Sequence, residues 1–185
     1  MVVISIIAIL SSILYANFGN ARGSGRDAKR QSDVRNLQTA IELYKKEFGR
    51  YPVAGCVSAG SIASESSCTT YIVGLAPAFI SALPRDPQIG TAAGYSYVTN
   101  APGTVFKVMA INTVEGPNVT ATHALRSCDI GTGGLCPTTP TSHVCAPTNT
   151  RSNTRFQRSF GAWGGFADGA DDTAVRTNTV AVICQ

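Results

Sequence analysis

Histidine is nearly missing from this 185-residue chain, which has only His123 and His143, and no Cys-x-x-Cys pair occurs. These shortages exclude the common zinc patterns, which need paired ligands at short spacing. There is also no G-x-S-x-G elbow, no glycine-rich phosphate loop, no H-E-x-x-H helix and no dinucleotide fingerprint. No enzymatic chemistry is therefore expected. Charge is scarce too: 14% of residues are charged, and Met1–Phe18 carries none.

That uncharged opening, MVVISIIAILSSILYANF, is the strongest signal present. A helix needs about 20 apolar residues to cross a bilayer, with ~17 as the lower limit, so the run sits at that limit. Its large apolar residues, among them Val3, Ile6, Ile7, Ile9, Leu10, Ile13 and Leu14, wrap round a helical wheel. Such a helix is buried in lipid or in an assembly. No basic segment precedes the run, and Ala16-Asn17-Phe18 is a poor cleavage site, so a retained segment is expected rather than a cleaved secretory signal.

A basic amphipathic helix follows. Gly19, Gly23 and Gly25 weaken its start and predict a flexible segment over 19–26. Over 27–49, Val34, Leu37, Ile41, Tyr44 and Phe48 recur at alternating steps of three and four, one apolar stripe, of which Val34, Leu37, Ile41 and Tyr44 are expected to pack on the sheet. Gly49 and Pro52 mark the end of the helix. Residues 19–50 hold eight cations and four anions, a net +4 equal to that of the whole chain. A basic strip of this kind suits nucleic acid or anionic lipid, and a solvated helix face is its plainer explanation.

All six cysteines, Cys56, Cys68, Cys128, Cys136, Cys145 and Cys184, lie beyond this helix, which points to three disulfides and an oxidising compartment. Cys56–Cys68 is the first pairing expected. Cys184 is expected to pin the C-terminal strand to the Cys128–Cys145 region. Residues 51–92 read as a connecting loop with a short helix or turn over 71–83. Residues 93–185 read as an antiparallel sheet with disulfide-tied loops. The expected strands are 94–99, 105–111, a third over 119–125 and a last over 177–184, with 126–170 as long loops.

Taken together, MVVISIIAIL (Met1–Leu10), ARGSGRDAKRQSDVRNLQTAIELYKKEFGRYP (Ala21–Pro52) and ALPRDP…GYSYV (Ala82–Val98) resemble type IV pilins and type II secretion pseudopilins. The third stretch is closer to the pseudopilins. The resemblance implies an α+β fold in which a long N-terminal helix packs on a small antiparallel sheet. It also implies a precursor cut by a prepilin peptidase, an N-methylated phenylalanine and a mature start of F-T-L-I-E-L ahead of Met1, so a preceding piece is expected. A basic leader would hold that end in the cytoplasm and place the cysteines outside.

The function so implied is that of a major pilin. Subunits would wait in the cytoplasmic membrane and be extracted by pilus assembly machinery. They would then polymerise with identical copies into a cell-surface filament for adhesion, motility or DNA uptake, with DNA or a surface receptor as partner. Two alternatives are a type II major pseudopilin and a monomeric, membrane-anchored binding domain. Asp168, Asp171 and Asp172 form a compact acidic loop that suits calcium, the one cofactor considered, or an ordinary polar turn. Phe156, Phe160, Trp163 and Phe166 lie beside Arg151, Arg155 and Arg158, as a core or interface element or as a platform for DNA or a surface.

Overall fold

The computed structural model describes residues 2–57, 62–88, 94–120, 123–126 and 158–165; within the long helix, the side chains of residues 2, 8–18 and 20 lie outside the description. The architecture is α+β. Helix α1 (Val2–Phe48) is followed by strands β1 (Ala63–Ser64), β2 (Tyr95–Thr99), β3 (Val105–Ala110) and β4 (Phe160–Gly165). The strands form one antiparallel sheet in the order β1-β2-β3-β4.

The helix runs unbroken through Gly19, Gly23 and Gly25. It stops where Gly49 takes a left-handed φ of 72° and its N–H donates to the Lys45 carbonyl, a conformation that costs a residue without Cβ little. Val34, Leu37 and Ile41 are fully buried in the core, and Tyr44 packs half-buried against it.

Alternation along the strands selects the face that meets the helix. Tyr95 and Tyr97 of β2, Phe106, Val108 and Ala110 of β3, and Phe160 and Ala162 of β4 join the helix residues in one core. Their partners in register confirm the shared face: Tyr97 opposes Val108, and Val108 opposes Ala162. At Gly164 a Cβ would meet the Phe106 ring at 2.7 Å, so the strand needs glycine to lie under that ring. The opposite face is covered as well, since Ser96, Val98, Lys107 and Met109 are also buried.

Two sequence expectations are corrected. Among the described residues of 119–125 there is no strand. Chain reversals, with His123 N–H donating to the Thr120 carbonyl and Arg126 N–H to that of His123, curl the segment and leave one isolated bridge, Arg126 to Phe160. The third long strand is instead Phe160–Gly165, inside the stretch read as loop; its three glycines disguised it. The connector also contributes a short edge strand, β1, which the sequence did not signal.

Cys56 and Cys68 form a disulfide with a Cα–Cα distance of 5.9 Å, the pairing expected from sequence. On a chain-entropy account, closing so short a loop contributes about 3 kcal/mol. Cys128, Cys136, Cys145, Cys184 and the 177–184 segment lie outside the described residues.

Candidate functional site

The apolar stripe of α1 does not stop at Val34. Continued towards the N-terminus at helical spacing it meets Arg30, Asp27 and Gly23, so charged residues occupy positions that face the body. Arg30 has no exposed surface. A guanidinium there needs carboxylate partners, and two loops deliver them.

The first loop follows Leu83-Pro84-Arg85. Asp86 is buried and accepts Arg30 Nε at 2.7 Å and Nη2 at 3.0 Å, a forked pair. The second loop, Thr113–Pro117, brings Glu115, which accepts Arg30 Nη1 at 2.7 Å and Arg26 Nε at 2.7 Å, with Arg26 Nη2 in close contact as well. Asp27 completes the set. It accepts Arg30 Nη1 at 2.8 Å, and it also accepts the backbone N–H groups of Glu115 at 3.0 Å and Gly116 at 2.7 Å. Close approach is possible because glycines meet there. A Cβ on Gly23 would touch Glu115 Cβ at 3.3 Å, and one on Gly116 would touch Asp27 Oδ2 at 3.2 Å.

The network extends to the sheet. Asp33 accepts the Tyr95 hydroxyl at 2.7 Å and Lys29 Nζ at 2.7 Å. Glu65, beside β1, accepts the N–H groups of Asp86 at 3.0 Å and Tyr95 at 3.1 Å. Gly94 turns past this carboxylate with φ 70°, where a Cβ would meet Glu65 Oε2 at 2.7 Å. Helix, both loops and the sheet are thus joined through buried charge.

Proton affinities follow this arrangement. Burial by itself lowers the Arg30 pKa, but the hydrogen bonds to Asp86, Glu115 and Asp27 outweigh it and raise the pKa above the usual value. Burial first, then Asp33, pushes the Tyr95 hydroxyl up. The Arg26 hydrogen bond, aided by Arg30, pulls Glu115 down to about 2. The unfolded chain therefore binds more protons than the folded one between the ordinary carboxylate range and that value. Glu115's stabilisation is complete above about pH 4.5 and is lost as pH falls towards about 2. Melting temperature followed across that window should fall less in Glu115→Gln than in the wild type. Parallel curves would remove Glu115 from the acid response.

The network also changes the reading of the basic helix. Asp86 and Glu115 are added to its own anions, and Asp27 and Asp33 turn inward, so Arg26, Lys29 and Arg30 are paired within the fold. The aromatic–arginine stretch does not form one platform among its described residues. Phe160 is in the core beside His123, Trp163 on the other face takes Arg126 at 5.7 Å from its ring centroid, and Arg158 donates to the Val114 carbonyl. Phe156, Phe166, Arg151 and Arg155 lie outside the described residues, as do Asp168, Asp171 and Asp172. Among the described residues, no cluster of three or more His, Cys, Asp or Glu side chains is placed to hold a metal.

The second notable surface is apolar. Among the described residues, the large exposed hydrophobic side chains lie at the start of α1 and around its end. Val3, Ile4, Ile6 and Ile7 are 52–69% exposed at one end, and Leu43 and Phe48 with neighbouring Val53 and Val73 are 44–57% exposed at the other. Ile9, Leu10, Ile13 and Leu14 belong to the helix, but their side chains lie outside the description. Among the described residues, no helix is long and apolar enough to cross a membrane. Comparison of the chain with family models, curated proteins and solved structures found no match.

The sequence reading missed the ion network. Its signal was the charged residues in apolar-stripe register, Asp27 and Arg30, together with Asp86 and Glu115 in proline-marked turns. Nothing local paired one with another.

Proposed function

We propose that the chain is the structural subunit of a surface filament of the type IV pilus kind, polymerising through the N-terminal part of α1. One observation carries the reading. A single 47-residue helix is half-embedded in an α+β body, while Val3–Ile7 at its far end stand exposed. Burying a Val or Ile side chain against sibling helices stabilises by roughly 1.5–3 kcal/mol when it leaves water. From lipid this gain largely vanishes, so close packing and machine-supplied work must drive extraction. A head-to-tail contact between identical chains does not close, so one subunit type extends without limit. In this reading the ion network's role is mechanical: it makes body and helix one piece, so that force on the helix moves the body.

A second reading, a type II secretion pseudopilin, draws on ALPRDP…GYSYV. In that stretch Asp86 pairs with Arg30 and Tyr95 with Asp33, so the motif's residues serve to fasten the helix. Filament length separates the two, because a pseudopilus does not extend far from the cell.

Ile6→Asp is expected to abolish filaments in electron micrographs while circular dichroism and thermal melting of the dispersed chain stay unchanged, because Ile6 is 52% exposed and outside the core. Filaments of normal length and number from this variant would refute the proposal.

A further inference from the structure

Five contacts converge on two successive helical turns, Gly23 to Arg30. Glu115 takes Arg26 and Arg30, Asp27 takes the N–H groups of Glu115 and Gly116, and the Glu115 side chain covers Gly23. Before these turns the described residues of the helix are bare. Every residue N-terminal to Gly23 whose surroundings are described, Val3–Ile7, Gly19, Ala21 and Arg22, is exposed. At Gly19 no atom of the body lies within 4 Å of where a Cβ would sit, and a cleft of about 440 Å³ opens there between the helix and Glu115–Pro117. The loop therefore grips the helix at Gly23 and has parted from it at Gly19, four residues earlier.

We infer that the Glu115–Gly116 loop is a clasp that sets the boundary between the part of α1 rigidly joined to the body and the part free to bend. The three glycines then differ in consequence. Gly19 lies on the free side, where its low helix propensity lets the helix open. Gly23 and Gly25 carry the same intrinsic weakness but lie in the clasped turns, where opening the helix also means breaking charge-assisted hydrogen bonds. The free segment is thereby shorter than the glycine spacing alone implies, and it ends before Gly23. In a filament the clasp is where tension on the helix enters the body; this clause alone rests on the proposed function.

Hydrogen exchange of the full chain, dispersed in detergent near pH 7, tests the inference without requiring filaments. The wild type should show a step in amide protection, with slow exchange from about Gly23 onward and fast exchange around Gly19. Glu115→Gln should speed exchange of residues 23–30 by roughly tenfold to a hundredfold, the range of charge-assisted hydrogen bonds, while the core amides of β2 and β3 stay protected. Arg26→Gln is the milder variant, since Arg30 still neutralises Glu115; it should speed exchange at the same residues by about tenfold, with Arg26→Lys partly restoring protection. No step at Gly23 in the wild type would overturn the inference. So would wild-type exchange of residues 23–30 in both Gln variants, or an equal loss of protection throughout the body in Arg26→Gln.

Discussion

Replacing Arg30 by alanine is expected to destabilise the folded chain by roughly 3–5 kcal/mol, read as a shift of the urea unfolding midpoint. The reason is what stays behind. Arg30 is fully buried, and its removal leaves Asp86 and Asp27 buried and Glu115 half-covered, with Arg26, paired to Glu115, as the one cation left on these carboxylates among the described residues. Attraction within the intact cluster only offsets the desolvation of its members, so the cluster need not contribute much net stability. Breaking it on one side is still costly. Since a domain of this kind is stable by about 5–15 kcal/mol in total, the variant should be largely unfolded at modest denaturant. Replacing Arg30 with methionine and Asp86 with asparagine together should recover part of the loss, because both the buried cation and its forked partner are then gone. A midpoint shift for Arg30→Ala worth less than about 1 kcal/mol, the scale of an exposed pair, would show that the cluster is more open to water than its geometry indicates.

Glu65→Ala should be the next most damaging change. Glu65 is 3% exposed and holds the N–H groups of Asp86 and Tyr95, with Arg85 outside at 3.3 Å. Alanine leaves two buried backbone donors unpaired, at about 1–3 kcal/mol each, and a loss of roughly 2–5 kcal/mol is expected. Glu65→Gln keeps an acceptor oxygen in place and should cost less than half as much. Equal losses for the two variants would mean that the carboxylate's charge matters rather than its acceptor geometry. The same change should loosen the 84–88 loop, since Asp86 reaches Arg30 only while its backbone is held by Glu65.

These two residues show where sequence reading ran out. Val34, Leu37 and Ile41 announce themselves because helical periodicity is a local rule that needs no knowledge of the partner. Gly49 ends the helix for an equally local reason. Tyr95–Thr99 and Val105–Ala110 have strong strand composition between turn residues, and they pair as neighbours across a short reversal. Phe160–Gly165 has weak composition and pairs with β3 across 50 residues, so only the fit of Gly164 under Phe106 reveals it. Arg30 is an intermediate case. A cation in the apolar stripe signals that something must meet it, but Asp86 and Glu115 lie 56 and 85 residues away.

Legible along the chain were the elements governed by near neighbours: the long helix with its uncharged first turns and its glycine stop, two of the strands, and the local Cys56–Cys68 pair. Only the folded arrangement selected which carboxylates neutralise Arg26 and Arg30, how much of the basic strip remains for solvent, and at which turn the body takes hold of the helix. Periodicity and turn chemistry act over a few residues and can be read in order. Charge pairing is satisfied by any carboxylate the fold brings within about 3 Å, and that choice is made only when the loops close on the helix.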